Sequence, residues 1–384
     1  MSVTAPQGFR AAGVVAGLKP SGNRDLALVV NTGPLAVAGA VYTANRCKAN
    51  PVLWSEQASA DGTVRAVILN SGGANCFTGP AGFATTHATA EQVAAGLGIG
   101  AGDVVVCSTG LIGQELRPDL IAAGVESALA GLSDAGGDEA AHAIMTTDTV
   151  AKQVVVDGHG WMVGGMAKGA AMLAPGLATM LVVLTCDAVP PAGTDLTALL
   201  RSACSQTLER LDSDGCMSTN DTVVLMASGA SGVGVDAATL ESAVTSALDQ
   251  LGRQLIADAE GAQHDIAVTV TNAANEADAV EVARAVSRSS LFKCAVFGQD
   301  PNWGRVVAAV GTTEAAFDPS ELDVVFNGVQ VCRSAGIGDD PATVDLSGRE
   351  VHVVIDLHAG TEQATVWTND LTYGYVQENA EYST

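Results

Sequence analysis

Residues 168–188, KGAAMLAPGLATMLVVLTCDA, carry the strongest indication of the fold of this chain. Small residues around Pro175 and Gly176 lead to Thr179, and the apolar run MLVVLTC follows. Continuous runs of branched apolar residues are typical of strands that are buried on both faces. The segment therefore predicts a buried strand of a layered protein, with Thr179 at its beginning and a flexible loop before it.

Strand and helix patterns alternate along the rest of the chain. Strands that run into polar or turn-forming loops are predicted at residues 65–79, 103–113, 152–165 and 323–332. Residues 81–98 predict a helix that ends in glycines, and a leucine-rich stripe over residues 240–255 predicts a second helix. Because no repeat or long linker interrupts this alternation, the sequence predicts one compact α/β assembly.

The composition restricts the classes of partner. The 384 residues are 48% hydrophobic with a mean hydropathy of +0.28, which is enough for a large core. The formal net charge is −24 and the isoelectric point is near 4.3. Such a surface repels nucleic-acid phosphates and anionic lipids, so we expect neither nucleic-acid nor membrane partners. An acidic substrate would need local cations, drawn from only 18 Lys and Arg residues.

The motifs in the sequence predict neither a metal site nor a nucleotide cofactor. The eight cysteines and six histidines show no metal-ligand spacing, so buried thiols in a reducing cytoplasm are expected. His352 and His358 are expected on a strand with structural roles. Residues 212–221, DSDGCMSTND, lack the third oxygen position and the distal Glu of a calcium loop. The glycine-rich segments 96–106 and 164–170 do not match phosphate-binding loops and are expected to be turns.

Polar loops after predicted strands are the candidate functional segments. In CSTGLIG, Thr109 and Gly110 follow a buried strand, where a hydroxyl and a backbone N–H can converge on an oxyanion. NSGGAN at residues 70–75 and DPNWGR at residues 300–305 are similar polar clusters. Loops of this kind carry function more often than core segments do.

Thr179 has two interpretations. In the first, a β-branched residue simply begins a buried strand, and the residues alone favour this. In the second, the chain is cut before Thr179, and the new α-amine acts as the base for the threonine hydroxyl. The reference pKa of an α-amine, about 7.7–8.0, leaves a useful neutral fraction at cellular pH.

The motifs together resemble those of the ornithine acetyltransferases of arginine biosynthesis, also called bifunctional glutamate N-acetyltransferases. The resemblance runs in order from about Asn70 to Thr384, and it rests on NSGGANCFTG, CSTGLIG, MTTDT, MAKGAAMLAPGLATMLVVLTCDA, DSDGCMSTNDTV and DPNWGR. It implies an α/β (α+β) fold, a four-layer αββα sandwich with a smaller additional domain. It also implies that the precursor cuts itself between Ala178 and Thr179. The resulting α segment 1–178 and β segment 179–384 meet at a processing site, not at a clean domain boundary, and assemble as α2β2.

The resemblance also implies an activity and its residues. Thr179 attacks the acetyl group of N2-acetylornithine, ornithine leaves, and glutamate takes the acetyl group by a ping-pong route. Thr109 and Gly110 match the oxyanion-hole pair. The implied substrate-binding residues are Thr146, Lys168, Thr179, Glu260, Asn379 and Thr384. Lys168 is expected to meet an α-carboxylate and Glu260 an amino group. No cofactor is expected, although acetyl-CoA is a candidate second donor.

Two departures from the family pattern concern the range of substrates. Gln263 and His264 follow Ala262 where the family commonly has Thr/Ser-Lys, and Gly73 stands where the family more often has Asn. Two alternatives stay open at this level. One is a self-processed N-terminal-nucleophile aminopeptidase or amidohydrolase, and the other is an uncut acidic binding protein.

Overall fold

The structure is a computed structural model that describes residues 2–174 and 180–381. The implied cleavage residue Ala178, the implied nucleophile Thr179 and the terminal Thr384 lie outside the described residues. The strands of the described part are β1 (Phe9–Val14), β2 (Leu26–Asn31), β3 (Val37–Tyr42), β4 (Ala66–Asn70), β5 (Val104–Ser108), β6 (Lys152–Asp157), β7 (Met162–Lys168), β8 (Leu181–Cys186), β9 (Thr222–Ala227), β10 (Asp265–Ala273), β11 (Asp323–Phe326), β12 (Val329–Arg333), β13 (Gly336–Ile337), β14 (Glu350–Asp356) and β15 (Glu362–Asn369). The helices are α1 (Asn50–Ala58), α2 (Gly79–Leu97), α3 (Pro118–Ala130), α4 (Gly137–Ala143), α5 (Leu196–Gln206), α6 (Ala237–Ala257), α7 (Glu276–Ser287), α8 (Ser290–Phe297), α9 (Trp303–Val310) and α10 (Tyr373–Glu381).

Two sheets pack face to face. The first has the strand order β1-β2-β4-β5, and the second has the order β3-β9-β8-β7-β6. Val67 and Val105 of the first sheet share one buried cluster with Leu181 and Val183 of the second. The alternate residues of the same strands point the other way, since side chains alternate across a strand.

A helical layer covers the outer face of each sheet. Ile68 of the first sheet packs with Val93 of α2 and Val125 of α3. Leu184 of the second sheet packs with α5 and with the stripe of α6 that the sequence predicts. The order of layers is therefore helix, sheet, sheet, helix, which confirms the αββα sandwich expected from the resemblance.

The third sheet forms the smaller additional unit. Its strand order is β13-β12-β11-β14-β10-β15, and β10 pairs in parallel with β14 and antiparallel with β15. Helices α7, α8 and α9 share a separate buried cluster with it.

Strand β8 lies in the interior of the second sheet, between β7 and β9, and all six of its residues are buried. One face of β8 packs against the first sheet and the other against the helices. This two-sided burial explains why MLVVLTC contains no alternating polar residue.

Most local predictions are confirmed, and three are wrong. The thiols were expected to be buried, but those of Cys47, Cys216 and Cys294 belong to exposed residues. The turns at Asp157 and Asn327 join antiparallel strands, as predicted. The segment 164–170 was expected to be a turn, but residues 164–168 belong to β7, because small residues fit where strand and neighbouring backbone pack closely. His358 follows the end of β14 with φ +48°, so it does not lie on the strand.

In the described ranges, no helix has both the length and the apolar character that a membrane crossing requires.

Candidate active site

The loops after β4 and β5 are locked together by hydrogen bonds. The Thr109 N–H donates to the Asn70 carbonyl over 3.0 Å, and the Gly73 N–H donates to the Thr109 carbonyl over 2.9 Å. The Asn70 side-chain amide donates to Ser108 Oγ over 2.7 Å. Because both strands run in parallel and end together, their loops form one rigid polar corner.

Gly110 can occupy its place between these two loops only because it has no side chain. Its φ is +129°, and a Cβ there would lie 2.9 Å from the Cα and N atoms of Gly73. Gly73 itself faces Leu116, whose Cδ2 would lie 3.1 Å from an added Cβ. The glycine at position 73, noted as a departure from the family pattern, therefore lies in a tightly packed place.

Lys168 is the last residue of β7, and its side chain reaches the corner from the second sheet. Its Nζ donates to Thr109 Oγ1 over 3.2 Å, and the residue is 2% exposed. Burial lowers the pKa of Lys168, and the carboxyl of Asp148 acts in the opposite direction. The carboxyls of Asp221 and Glu260 also act to raise the pKa of Lys168, but less than that of Asp148 does.

Asp148 connects the predicted residues Thr146 and Lys168. Its Oδ2 accepts the Thr146 N–H over 2.9 Å, and its Oδ1 accepts the Gly169 N–H over 2.7 Å. Lys152 donates to the same Oδ1 over 2.6 Å. Burial opposes ionisation of Asp148, but the cations of Lys168 and Lys152 hold the pKa of its carboxyl below the usual value.

Asp221 holds the backbone where β8 begins. Its Oδ1 accepts the Met180 N–H over 3.1 Å, and the next residue, Thr222, donates its N–H to the Met180 carbonyl over 3.1 Å. Burial raises the pKa of Asp221 well above its ordinary value, which favours the protonated form. Asp221 therefore contacts Met180, the residue directly after the implied nucleophile. It is a buried group that can hold a proton.

Asn220 ties the two sheets together beside Asp221. Its Nδ2 donates to the carbonyls of Ala74 and Ser108 over 2.7 and 2.8 Å. Both acceptors lie in the corner formed by the first sheet, so this amide holds the beginning of β9 against the Thr109 loop.

Glu260 and Asn379 bring the C-terminal helix to the same region. Asn379 Nδ2 donates to Glu260 Oε2 over 2.9 Å, and the Glu260 N–H donates to the Ala170 carbonyl over 2.9 Å. Ala170 lies two residues beyond Lys168, so α10 is connected to the end of β7.

The structure thus gathers Thr109, Gly110, Thr146, Lys168, Glu260 and Asn379 around the end of β7. The sequence interpretation gave no role to Asp148, Lys152, Asn220 or Asp221. Asp148 lies in MTTDT, and Asn220 and Asp221 lie in DSDGCMSTNDTV, so the motifs contained them, but their burial and partners depend on distant segments.

In the part of the chain that the structure describes, no group of three or more His, Cys, Asp or Glu side chains could hold a metal ion. Asp214 of the loop 212–221 instead accepts the backbone N–H groups of Met172 and Cys216.

The fold and the site define an αββα-sandwich enzyme whose polar groups converge where the central strand β8 begins. The family model described as the ArgJ family matches residues 10–384, and the chain belongs to that family. Its relatives are named arginine biosynthesis bifunctional proteins, and the chain is accordingly an enzyme of arginine biosynthesis.

Individual relatives agree along the whole chain. The arginine biosynthesis bifunctional protein ArgJ of Streptomyces avermitilis is 61% identical over 386 residues, covering 100% of both chains. The protein of the same name from Streptomyces coelicolor is 60% identical, again over 100% of both chains. Among solved structures, ornithine acetyltransferase from Mycobacterium tuberculosis, complexed with ornithine, is 58% identical with a TM-score of 0.45. That match covers 47% of this chain and 96% of the other.

Proposed function

We propose that this protein transfers the acetyl group of N2-acetylornithine to glutamate, and that Thr179 is the nucleophile. The observation that carries the proposal is the convergence of groups at the beginning of β8. Lys168 is the register partner of Leu181, two positions beyond Thr179, and it bonds Thr109 of the opposite sheet. Family membership supports the substrates, since a related protein is an ornithine acetyltransferase that binds ornithine.

The first step of the proposal is self-cleavage between Ala178 and Thr179. The Thr179 hydroxyl oxygen attacks the Ala178 carbonyl carbon, the peptide C–N bond breaks, and the nitrogen takes up a proton as an ester forms. Water then cleaves the ester and leaves an Ala178 carboxylate and a free Thr179 α-amine. The neutral amine is the base that activates the adjacent hydroxyl.

The second step is acetyl transfer in two halves. The Thr179 oxygen adds to the acetyl carbonyl carbon, its proton moves to the α-amine, and the carbonyl oxygen becomes an oxyanion. The Thr109 hydroxyl and the Gly110 N–H donate to that oxyanion. When the C=O bond re-forms, the bond to nitrogen breaks and ornithine leaves with the proton. Glutamate reverses the sequence through its α-amine and leaves as N-acetylglutamate.

The substrate contacts in the proposal are Thr146, Lys168, Glu260, Asn379 and Thr384. Glu260 is only 9% exposed and accepts from Asn379, so its carboxylate is held in place for the amino group of a substrate. No resident cofactor takes part in these steps.

Two measurements, of cleavage and of acetyl transfer, test the proposal. Purified protein is analysed by denaturing electrophoresis and N-terminal sequencing, and ornithine release from N2-acetylornithine is then followed with and without glutamate. We expect two fragments, one beginning at Thr179, and sustained turnover only with glutamate. Thr179→Ala should stay uncut and inactive, whereas Thr179→Ser should keep slower cleavage and transfer. Rapid turnover without glutamate would favour the hydrolase instead.

We also propose acetyl-CoA as a second donor, because the relatives are named as bifunctional proteins. Thiol release from acetyl-CoA that depends on both glutamate and Thr179 would support this, and its absence would limit the enzyme to acetylornithine.

The proposed compartment is the cytoplasm, since all eight cysteines lie in described residues and are free thiols. The proposed assembly is α2β2.

A further inference from the structure

The loop of residues 15–25, between β1 and β2, brings a further ammonium group to the proposed active site. Lys19 Nζ donates to the Met145 carbonyl over 2.5 Å and to the Arg24 carbonyl over 3.2 Å. Met145 directly precedes Thr146, one of the proposed substrate contacts. A lysine ammonium has three N–H donors. Among the described residues, the third donor of Lys19 has no hydrogen-bond partner, and the residue is partly buried.

A buried carboxylate fixes the shape of this loop. Asp25 is fully buried, and its Oδ1 accepts the Ala16 N–H over 2.6 Å. Its Oδ2 accepts the N–H groups of Leu18 and Lys19 over 2.6 and 3.0 Å. Hydrogen bonds from backbone N–H groups to a carboxylate are stronger than those between neutral groups. The main chain at Lys19 is therefore held in place, and its side chain projects from a fixed point.

The same loop packs against the polar corner that the loops after β4 and β5 form. The Ser71 N–H donates to the Asp25 carbonyl over 2.9 Å. A Cβ on Gly72 would lie 2.2 Å from the Cβ of Leu18, so the loops touch at the residue before Lys19. The Lys19 side chain thus extends from the polar corner to the loop before β6.

The ammonium groups of Lys19 and Lys168 are near enough to act on each other. Burial lowers the pKa of Lys19, and the ammonium of Lys168 acts in the same direction. The carboxyls of Asp25 and Asp148 act in the opposite direction. In the described ranges, neither ammonium belongs to an ion pair, because Asp148 pairs with Lys152 instead. An anion bound by both ammonium groups would relieve their repulsion.

The α-carboxylate of the substrates fits this place. N2-acetylornithine and glutamate share that group, whereas their side chains end in opposite charges. The α-carbon carries both the carboxylate and the nitrogen that loses or gains the acetyl group. An acetyl group at the proposed oxyanion hole therefore brings the α-carboxylate close to the polar corner. Lys168 reaches that corner through its hydrogen bond to Thr109, and Lys19 reaches it through the contact of its loop.

We propose that Lys19 is a further substrate-binding residue, which shares the α-carboxylate of N2-acetylornithine and of glutamate with Lys168. Both substrates are those of the proposed function, on which this role of Lys19 rests. Asp25 is a positioning residue, since it holds the main chain from which Lys19 projects. The sequence motifs did not point to this loop, because all of them lie after it in the chain.

Kinetics of Lys19→Met test the contact, because methionine removes the charge at similar side-chain length. We expect kcat/KM to fall by about 10- to 100-fold for both acetylornithine and glutamate, since a hydrogen bond to a charged group is lost. N-acetyl-1,4-diaminobutane is acetylornithine without its carboxylate, and wild-type enzyme will use it poorly but measurably. Lys19→Met should keep kcat/KM for this donor within about 3-fold of wild type. Lys19→Arg keeps the charge and should recover most of the loss.

Arg24→Met is the matched control in the same loop. Arg24 is an exposed cation whose side chain donates to the Gly13 carbonyl. Its substitution should leave kcat/KM for both substrates within about 3-fold of wild type, which separates a contact from the general attraction of a positive loop for anions. Equal losses in Lys19→Met and Arg24→Met would overturn the role of Lys19.

Two other kinetic results would also overturn it. If Lys19→Met slows the carboxylate-free donor as much as acetylornithine, Lys19 only holds its loop in place. If kcat/KM falls for glutamate alone, the ammonium meets the side-chain carboxylate of glutamate and not the shared α-carboxylate.

Binding of ornithine tests the same contact without acetyl transfer. Cleaved wild-type and Lys19→Met enzymes are titrated calorimetrically with ornithine and with 1,4-diaminobutane, which lacks the carboxylate. We expect Lys19→Met to raise the Kd of ornithine by about 10- to 100-fold and to leave that of 1,4-diaminobutane within about 3-fold. If Lys19→Met is not cleaved, Lys19→Gln takes its place under the same criteria.

The titration also separates this role of Lys19 from the proposed function. An unchanged Kd for ornithine would overturn the role of Lys19 alone. A wild-type enzyme that binds ornithine but transfers no acetyl group would overturn the proposed function, and the expected shift in Kd would still support the contact of Lys19 with the carboxylate.

Discussion

At the residue scale, the backbone of Gly110 has two independent constraints. Its φ of +129° is a conformation that residues with a Cβ rarely adopt, and the position of that Cβ is already occupied by Gly73 backbone atoms at 2.9 Å. Neither constraint can be relieved by a side-chain rotation, since both involve the main chain. The backbone geometry at position 110 therefore requires a glycine, in addition to the proposed role of its N–H group as a donor to the oxyanion.

Gly110→Ala should consequently damage both stability and activity. We expect a destabilisation of about 2–3 kcal/mol from the strained backbone and the collision, and a kcat lower by about 100-fold because the N–H shifts. Chemical denaturation and steady-state kinetics measure the two effects. Gly113→Ala is the matched control in the same loop, since Gly113 has φ +81° but nothing within 4 Å of an added Cβ. It should cost about 1–2 kcal/mol and keep its kcat. Equal effects on kcat in both variants would contradict this explanation.

At the scale of elements, a buried ionic cluster joins β6 to the end of α6. Lys152 is fully buried and donates to Asp148 over 2.6 Å and to Asp258 over 2.5 Å. Asp258 follows the last residue of α6, and Asp148 lies in the loop before β6. The cluster thus fixes the loop that carries Thr146 against the helical layer.

Lys152→Met should be strongly destabilising, because it leaves two carboxylates without their shared cation. The expected loss is about 3–5 kcal/mol in the free energy of unfolding, measured by chemical denaturation at pH 7. The exposed pair of Arg117 and Asp119 supplies the control, and Arg117→Met should leave the free energy of unfolding nearly unchanged. The triple variant Lys152→Met, Asp148→Asn, Asp258→Asn should recover part of the loss. If the triple variant is no more stable than Lys152→Met, unpaired charge is not the cause.

The same cluster shows what sequence patterns could and could not predict. The strand β8, the helix α2 and the stripe of α6 follow from local periodicity, and the structure confirms them. The CSTGLIG loop was recognised because a polar pattern follows an apolar strand. By contrast, the bond from Lys168 to Thr109 spans 59 positions, and the bond from Lys152 to Asp258 spans 106. Such contacts depend on how the sheets stack, which no local pattern encodes, so the contact of Lys168 with Thr109 was not predicted and Lys152 had no predicted role.

At the scale of the whole molecule, the second sheet contains strands from both sides of the proposed cut. Strand β8 pairs with β7 across six residue pairs, and β9 pairs with β3 across another six. The Lys152 contact with Asp258 and the Asn220 contacts with the first sheet also join the two segments. The two chains produced by a cut before Thr179 would therefore share one sheet and one core.

Cleavage should accordingly leave the native particle intact. We expect wild-type protein to give two bands in denaturing electrophoresis but one peak in native size-exclusion chromatography, with both chains in equal amounts. Separation would expose the buried faces of β7, β8 and β9, so it should require denaturant at concentrations that unfold the protein. Uncut Thr179→Ala should elute at the same volume, which controls for any change of assembly on cleavage. Light scattering across that peak tests α2β2 against αβ. Two native peaks from cleaved enzyme would show that the shared sheet does not hold the chains together.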